Sequence, residues 1–290
     1  RTYPSGLGPL PPGTGHGHAR APAGYRSAVN SQQDAYIGTS GWKYPRWRGD
    51  FYEAGLRQRD ELAYLSRRLN SAEINGSFYS LQKPERYARW RDETPAGFVF
   101  AVKGGRYITH LKKLRNSRPG LANFFASGPL ALGDKLGPCL WQLPAALHYD
   151  EQVLEAFLAE LPRTPEQAAR LASESTRPDP YTAAPVCTPL RHAIEPRHDS
   201  WAAAAPLLRE HNIALVRADT AGRFPEFTER TADFQYLRLH GPHRLYFGSY
   251  RPDLIAVWAA RITTPAYVYF DNDADGAAPW DAMAMASVLG

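Results

Sequence analysis

Eight short apolar runs recur along the chain, at 36–42, 72–79, 98–103, 139–143, 192–198, 214–219, 234–240 and 266–273. Nearly all of them end in polar or charged residues. Between most of them lie stretches with helical spacing. Leu62, Leu65 and Leu69 share one face of a helix predicted over 57–69. Pro84 opens the next, over 84–93, where its missing N–H costs nothing. Further helices are predicted over 124–132, 151–161, 165–173, 206–212, 252–262 and 279–288, and Asp199 or Ser200 is the expected cap of the one carrying Trp201. Between Asp219 and Phe234 there is little helical signal. Strands alternating with helices imply a parallel sheet, and eight such units predict a closed (β/α)8 TIM-like barrel. Functional groups in that fold gather where the strands end.

The first 34 residues break the pattern. They are rich in Gly, Pro, Ser and His, show no apolar periodicity, and are expected to form a disordered tail. Residues 35–290 match the length of one barrel of about 250 residues, so a single domain is expected, with a Pro-rich insertion at 162–190. No run approaches a membrane span, and the tail has no apolar core of signal-peptide length. Cys139 and Cys187 have no metal or redox spacing, which fits a cytoplasmic protein with free thiols.

The net charge of +5 hides an uneven distribution. Lys103, Arg106, Lys112, Lys113, Arg115 and Arg118 fall within 103–118 with no acid among them, and Lys43, Arg46 and Arg48 cluster in 42–48. Both segments follow predicted strands and therefore belong to the same end of the barrel. A basic mouth over a more acidic body favours an anionic ligand.

Side chains alternate along a strand, one set facing the helices and the other the lumen. Leu237 and Leu239 suit the helix side, which turns Tyr236, Arg238 and His240 inward. Parity also turns inward Glu73, Asn75 and Ser77, then Val99, Ala101 and Lys103, and finally Gln142, Glu195, Arg197, Arg217, Asp219 and Asp271. Four acids (Glu73, Glu195, Asp219, Asp271) thus meet four bases (Lys103, Arg197, Arg217, Arg238) in a network of paired charges. Such a balance argues against a metal, because ligating acids work best without neutralising cations nearby. No cofactor is expected, a divalent metal being the alternative. Glu73 and Glu195 are also compatible with a carboxylate pair acting on a glycosidic bond. Aromatics near the strand ends, among them Trp42, Tyr44, Tyr79, Tyr107 and Tyr246, suit stacking on sugars or bases.

Seven ordered motifs carry a resemblance. Ile-Gly-Thr-Ser-Gly-Trp (37–42), Glu-x-Asn-x-x-Phe-Tyr (73–79), Phe-x-x-Lys (100–103) and Gln-Leu-Pro (142–144) come first. Arg-His-Ala-Ile-Glu-x-Arg-His (191–198), Arg-x-His-Gly (238–241) and Tyr-x-Tyr-Phe-x-Asn (267–272) follow. From about residue 35 onward the chain resembles the YecE-like family, catalogued as domain of unknown function 72. The resemblance implies a TIM-like barrel and no established reaction. Its barrel is similar in outline to metal-dependent apurinic endonucleases and sugar isomerases, a fold-level analogy. Where the family usually shows Phe-Asn-Asn at the last strand, this chain has Phe270-Asp271-Asn272.

The expected function is binding and chemistry on a small anionic, phosphate-bearing substrate at the C-terminal face of the barrel, as a hydrolase or lyase. Glu73, Glu195 and His240 are the candidate acid–base groups. Lys103, Arg197 and Arg238 are expected to hold the anion. Trp42, Asn75, Tyr79, Tyr107, Gln142, His198, Asp219, Asp271 and Asn272 complete the expected ligand set. The alternatives are a non-catalytic nucleic-acid-binding module and a metal-dependent hydrolase or nuclease.

Overall fold

All eight apolar runs become strands, and the sixth is divided. In a computed structural model, which describes residues 35–185 and 188–290, β1 (Ala35–Ser40), β2 (Ser71–Ile74), β3 (Val99–Lys103), β4 (Leu136–Gln142) and β5 (His192–Glu195) lie side by side. The sixth run gives β6 (Ala214–Leu215) and β7 (Arg217–Asp219), and β8 (Gln235–Leu239) and β9 (Ala266–Phe270) follow. The ladder is parallel throughout, in the order β6-β5-β4-β3-β2-β1-β9-β8-β7. Its two edges are consecutive pieces of chain separated by Val216, whose N–H donates to Ile194 O at 2.9 Å. The sheet therefore curls into a nearly closed α/β barrel of TIM type. The tail expected at 1–34 and the thiol of Cys187 lie outside the described residues.

The lumen is a packed core. Tyr236, Tyr267 and Tyr269 from β8 and β9 fill it alongside the small Ala101, Ala193, Ala214 and Ala218. Large and small side chains share a crowded interior in this way. Gly38 permits the closest approach: a Cβ there would sit 2.0 Å from Ser71 O. Ser71 Oγ and Tyr269 OH join at 2.8 Å inside the same lumen.

Helices at Glu61–Leu65, Pro84–Asp92, Glu151–Glu160, Pro165–Ala172, Ala205–Glu210, Pro252–Ala259 and Ala278–Leu289 agree with the predicted ones apart from their ends. The Asp150 carboxylate caps the helix at Glu151, and Thr164 with Gln167 forms a capping box before the one at Pro165. The helix expected over 124–132 instead runs Arg118–Ala126. Pro119 fits its first turn, and Gly128, at φ 100°, closes it before a 3-10 turn. Residues 220–234 contain no helix, as their weak periodicity implied. Cys139 is buried, which pushes its thiol up to about 12. No helix among the described residues is long and apolar enough to cross a membrane.

Candidate functional site

Where the strands end, the barrel is floored by one guanidinium. Arg238 of β8 donates from Nη2 to Glu73 Oε1 at 2.7 Å, from Nε to Glu73 Oε2 at 3.1 Å and from Nη1 to Glu195 Oε2 at 2.8 Å. Its Nη2 also reaches Ser40 Oγ at 3.1 Å and Asp271 Oδ2 at 3.2 Å. Tyr236 OH and Ser40 Oγ donate to Glu73 at 2.7 and 3.1 Å. Strand register builds the cluster, because Glu73 aligns with both Ser40 and Ala101. Burial alone would raise the Glu195 pKa, but Arg238 and Arg197 outweigh it and hold the carboxyl well below its ordinary range. Asp271 is lowered too, with Arg238 and His240 overcoming its burial. The opposite balance holds Arg238 well above its ordinary value: burial disfavours its charge, and Glu73, Glu195 and Asp271 prevail. His240 stands beside this network, with Nε2 3.4 Å from Glu195 Oε1 and Nδ1 2.9 Å from Asp271 Oδ2. The second contact is not aligned as a hydrogen bond.

The rim is different. Lys103 ends β3, one inward position above the residue paired with Glu73. It is 9% exposed, with Nζ 4.6 Å from the centre of the Phe78 ring, and no carboxylate among the described residues is in ion-pair contact with it. Burial first and Arg238 second lower its pKa to about 8, against the pull of Glu73, Glu195 and Asp271. His110 packs edge-on to Phe78 at 5.1 Å, on a single π-turn (Tyr107–Leu111) of the kind that often marks functional segments. Burial, then the charges of Lys103, Arg106 and Arg197, lower it to about 4, so it is neutral at pH 7. Arg197 gives Nε and Nη2 to Glu195 Oε1 at 3.3 and 3.2 Å and covers the Phe224 ring at 4.7 Å. Strained backbone flanks the mouth: Lys113, Leu114 and Asn116 have φ of 50°, 67° and 47°, and Tyr246 has 70°.

The expected residues divide accordingly. Glu73, Lys103, Gln142, Glu195, Arg197, Arg238, His240 and Asp271 come together at the mouth, Gln142 in register with Glu195. Asp219 and Arg217 do not. They align with Leu239 and Leu237 and so face the helices, while Ala214, Val216 and Ala218 take the lumen. Crowding decides this: tyrosines from β8 and β9 leave room only for small side chains there. Asp219 instead accepts from Tyr250 OH at 3.0 Å, and Arg217 donates to Glu226 at 2.7 Å. The inward set is therefore three acids against three bases, still balanced. Trp42 is buried edge-on against Trp90 at 5.3 Å, and Asn75 starts the short helix Gly76–Tyr79 beside it. Asn272 ties Gly248 O and Asp281 together, both at 2.7 Å. His198, rather than Asp199 or Ser200, caps the turn carrying Trp201: its Nδ1 accepts from Ser200 N at 3.2 Å. Tyr79 and Tyr107, 81% and 47% exposed, border a groove of about 360 Å³ with Arg106. His110 was not foreseen; its position inside the basic segment 103–118 was the only signal. Among the described residues, no group of three or more His, Cys, Asp or Glu is placed to hold a metal ion.

Comparison with known proteins gives concordant results. A family model described as "Protein of unknown function DUF72" matches residues 36–290. The UPF0759 protein YecE of Escherichia coli K12 is 34% identical over 128 residues, a stretch covering 44% of this chain and 44% of that relative. The match thus spans less than half of the relative's length. A DUF72 family protein from Thermotoga maritima superposes with a TM-score of 0.62 at 23% identity, covering 88% of this chain and 98% of that one. Another, from Enterococcus faecalis V583, gives 0.66 at 18% identity and covers 88% and 95%. At those identities the likeness speaks for the fold alone.

Proposed function

The chain belongs to the DUF72 family, and from that premise we propose that the C-terminal mouth of its barrel binds and acts on a small anionic, phosphate-bearing ligand. The carrying observation is Lys103, a side chain 9% exposed whose ammonium no carboxylate among the described residues takes up. A buried charge without a partner is costly, and an anion entering the mouth supplies the partner. Arg197 is the second contact, since Glu195 occupies its Nε and Nη2 and leaves Nη1. Arg238 has no such capacity, because Glu73, Glu195, Ser40 and Asp271 occupy it; its part is to hold the floor.

The same bookkeeping moves the acid–base role. Glu73 and Glu195 lie beneath the mouth in contact with Arg238, whereas the Asp271 side chain is 17% exposed. A carboxylate kept ionised beside an anion-binding cation suits activation of water or removal of a proton, as in a hydrolase or lyase. His240, with Nδ1 2.9 Å from Asp271 Oδ2, helps to hold that carboxyl below its ordinary range. A crystal soaked in phosphate tests the reading: density bridging Lys103 and Arg197 is expected. An empty mouth, with Lys103→Ala leaving ligand binding unchanged, removes it.

A second reading rests on the exposed Tyr79 and Tyr107 beside Arg106 and Lys112, a pairing of flat rings and cations that suits single-stranded nucleic acid. It requires oligonucleotide affinity that falls steeply with salt. Fluorescence anisotropy that shows no binding, or binding insensitive to salt, excludes it.

A further inference from the structure

We infer that Lys103 forms an imine with the carbonyl group of its ligand, which makes the ligand an anionic carbonyl compound such as a 2-oxo acid or an open-chain sugar phosphate. The inference rests on the anion-binding reading of the mouth and adds a covalent step to it. Three features of the geometry support it. First, Nζ lies at the mouth end of β3 against the Phe78 ring, and no described carboxylate holds the nitrogen as an ammonium. Second, the backbone of this residue is fixed on both sides: Ser77 Oγ donates to Lys103 O at 2.6 Å, and Gly104 N donates to Leu140 O at 2.8 Å. Third, the groups facing it divide the remaining tasks. Arg197 and Arg106 offer charge to an anionic substituent, His110 is a neutral base, and Asp271 is an ionised one.

Desolvation by this site, together with the nearby Arg238 charge, keeps a sizeable share of the amine neutral near pH 8. Glu73, Glu195 and Asp271 pull the other way, and Arg106, Arg197 and His110 complete the titratable surroundings. The neutral amine attacks the carbonyl carbon, and a proton moves from nitrogen to oxygen to give a carbinolamine. The carbon–oxygen bond then breaks, and the oxygen leaves as water with the two hydrogens that nitrogen gives up. The product is a carbon–nitrogen double bond, which withdraws electrons from the neighbouring carbon. Asp271 is placed to take a proton from that carbon.

The test uses the full chain with glyoxylate and sodium cyanoborohydride. Hydride adds to the imine carbon and leaves a secondary amine that peptide mapping locates. The exposed Lys43, Lys83, Lys112 and Lys113 serve as internal controls. Near pH 8, Lys103 is expected to be modified on the order of tenfold faster than any of them, with its rate rising through about 8 rather than the value of about 10.4 for an unperturbed amine. Phosphate is expected to slow the modification, and uncharged glycolaldehyde to react more slowly than glyoxylate. Modification of Lys103 no faster than the exposed lysines overturns the imine, even where phosphate binds and the anion reading stands. Fast modification that ignores phosphate and the charge of the aldehyde keeps the imine and overturns the anion reading.

Discussion

The floor and the rim of the barrel mouth each carry a largely buried basic side chain, Arg238 and Lys103, yet they use it in opposite ways. On the floor, the Arg238 donors meet Glu73, Glu195, Ser40 and Asp271. On the rim, Lys103 is 9% exposed and rests on an aromatic face, with no carboxylate among the described residues in contact. Buried charge that is paired in every direction serves the fold. Buried charge with uncommitted donors is held at a cost, which on the proposed reading an anionic ligand offsets.

The largest expected effect comes from breaking the floor. Arg238→Met leaves Glu73 buried with no cation and Glu195 with Arg197 alone, and should cost about 3–5 kcal/mol of stability in urea unfolding. A loss smaller than that of an ordinary surface change would erase the distinction between the regions. Lys103→Met is the counterpart. Its stability at neutral pH should stay within about 1 kcal/mol of the parent or exceed it, while phosphate affinity falls about tenfold, roughly 1.4 kcal/mol.

Titration separates the regions further. Glu195 and Asp271 have lowered pKa values, so the stability they add is complete above the ordinary carboxylate range and is lost as the pH falls through those lowered values. Lys103 gives the same sign in a separate, alkaline window, because there it is the charged form that the fold disfavours. Between about 8 and the unfolded value of 10.5, the unfolded chain binds more protons than the folded one, so stability rises with pH. Urea midpoints across that alkaline window should rise in the parent and lose that component in Lys103→Met.

Smaller effects lie outside both regions. His198→Ala removes a cap and should cost about 1 kcal/mol in the same unfolding assay. Arg118→Ala, which breaks an exposed pair with Glu174 at 2.6 Å, should cost about 0.2–1 kcal/mol. Losses from either that rivaled the loss from Arg238→Met would mean that the floor is not special.

The barrel was legible because eight runs alternating with helices admit few arrangements, and parity correctly turned Glu73, Lys103, Glu195, Arg238 and Asp271 inward. The run 214–219 misled because both of its alternating sets are credible. Ala214, Val216 and Ala218 form one, while Leu215, Arg217 and Asp219 form the other. Parity with the neighbouring runs suggested that the second set faced inward, and the volume of the three lumenal tyrosines on β8 and β9 decided for the first. Parity also gave the direction of Arg238 without its partners. Saturation of its donors depends on side chains from β1, β2, β5 and the turn after β9 meeting at one point. His110 escaped notice because a π-turn has no periodic signature.

Isothermal titration with inorganic phosphate tests the central claim most directly, comparing the parent with Lys103→Met at neutral pH. Saturable binding in the parent, weakened about tenfold or more in the variant while the fold is retained, is the predicted result. Equal affinity in the two proteins, or no phosphate binding by the parent, would contradict an anion site built on Lys103.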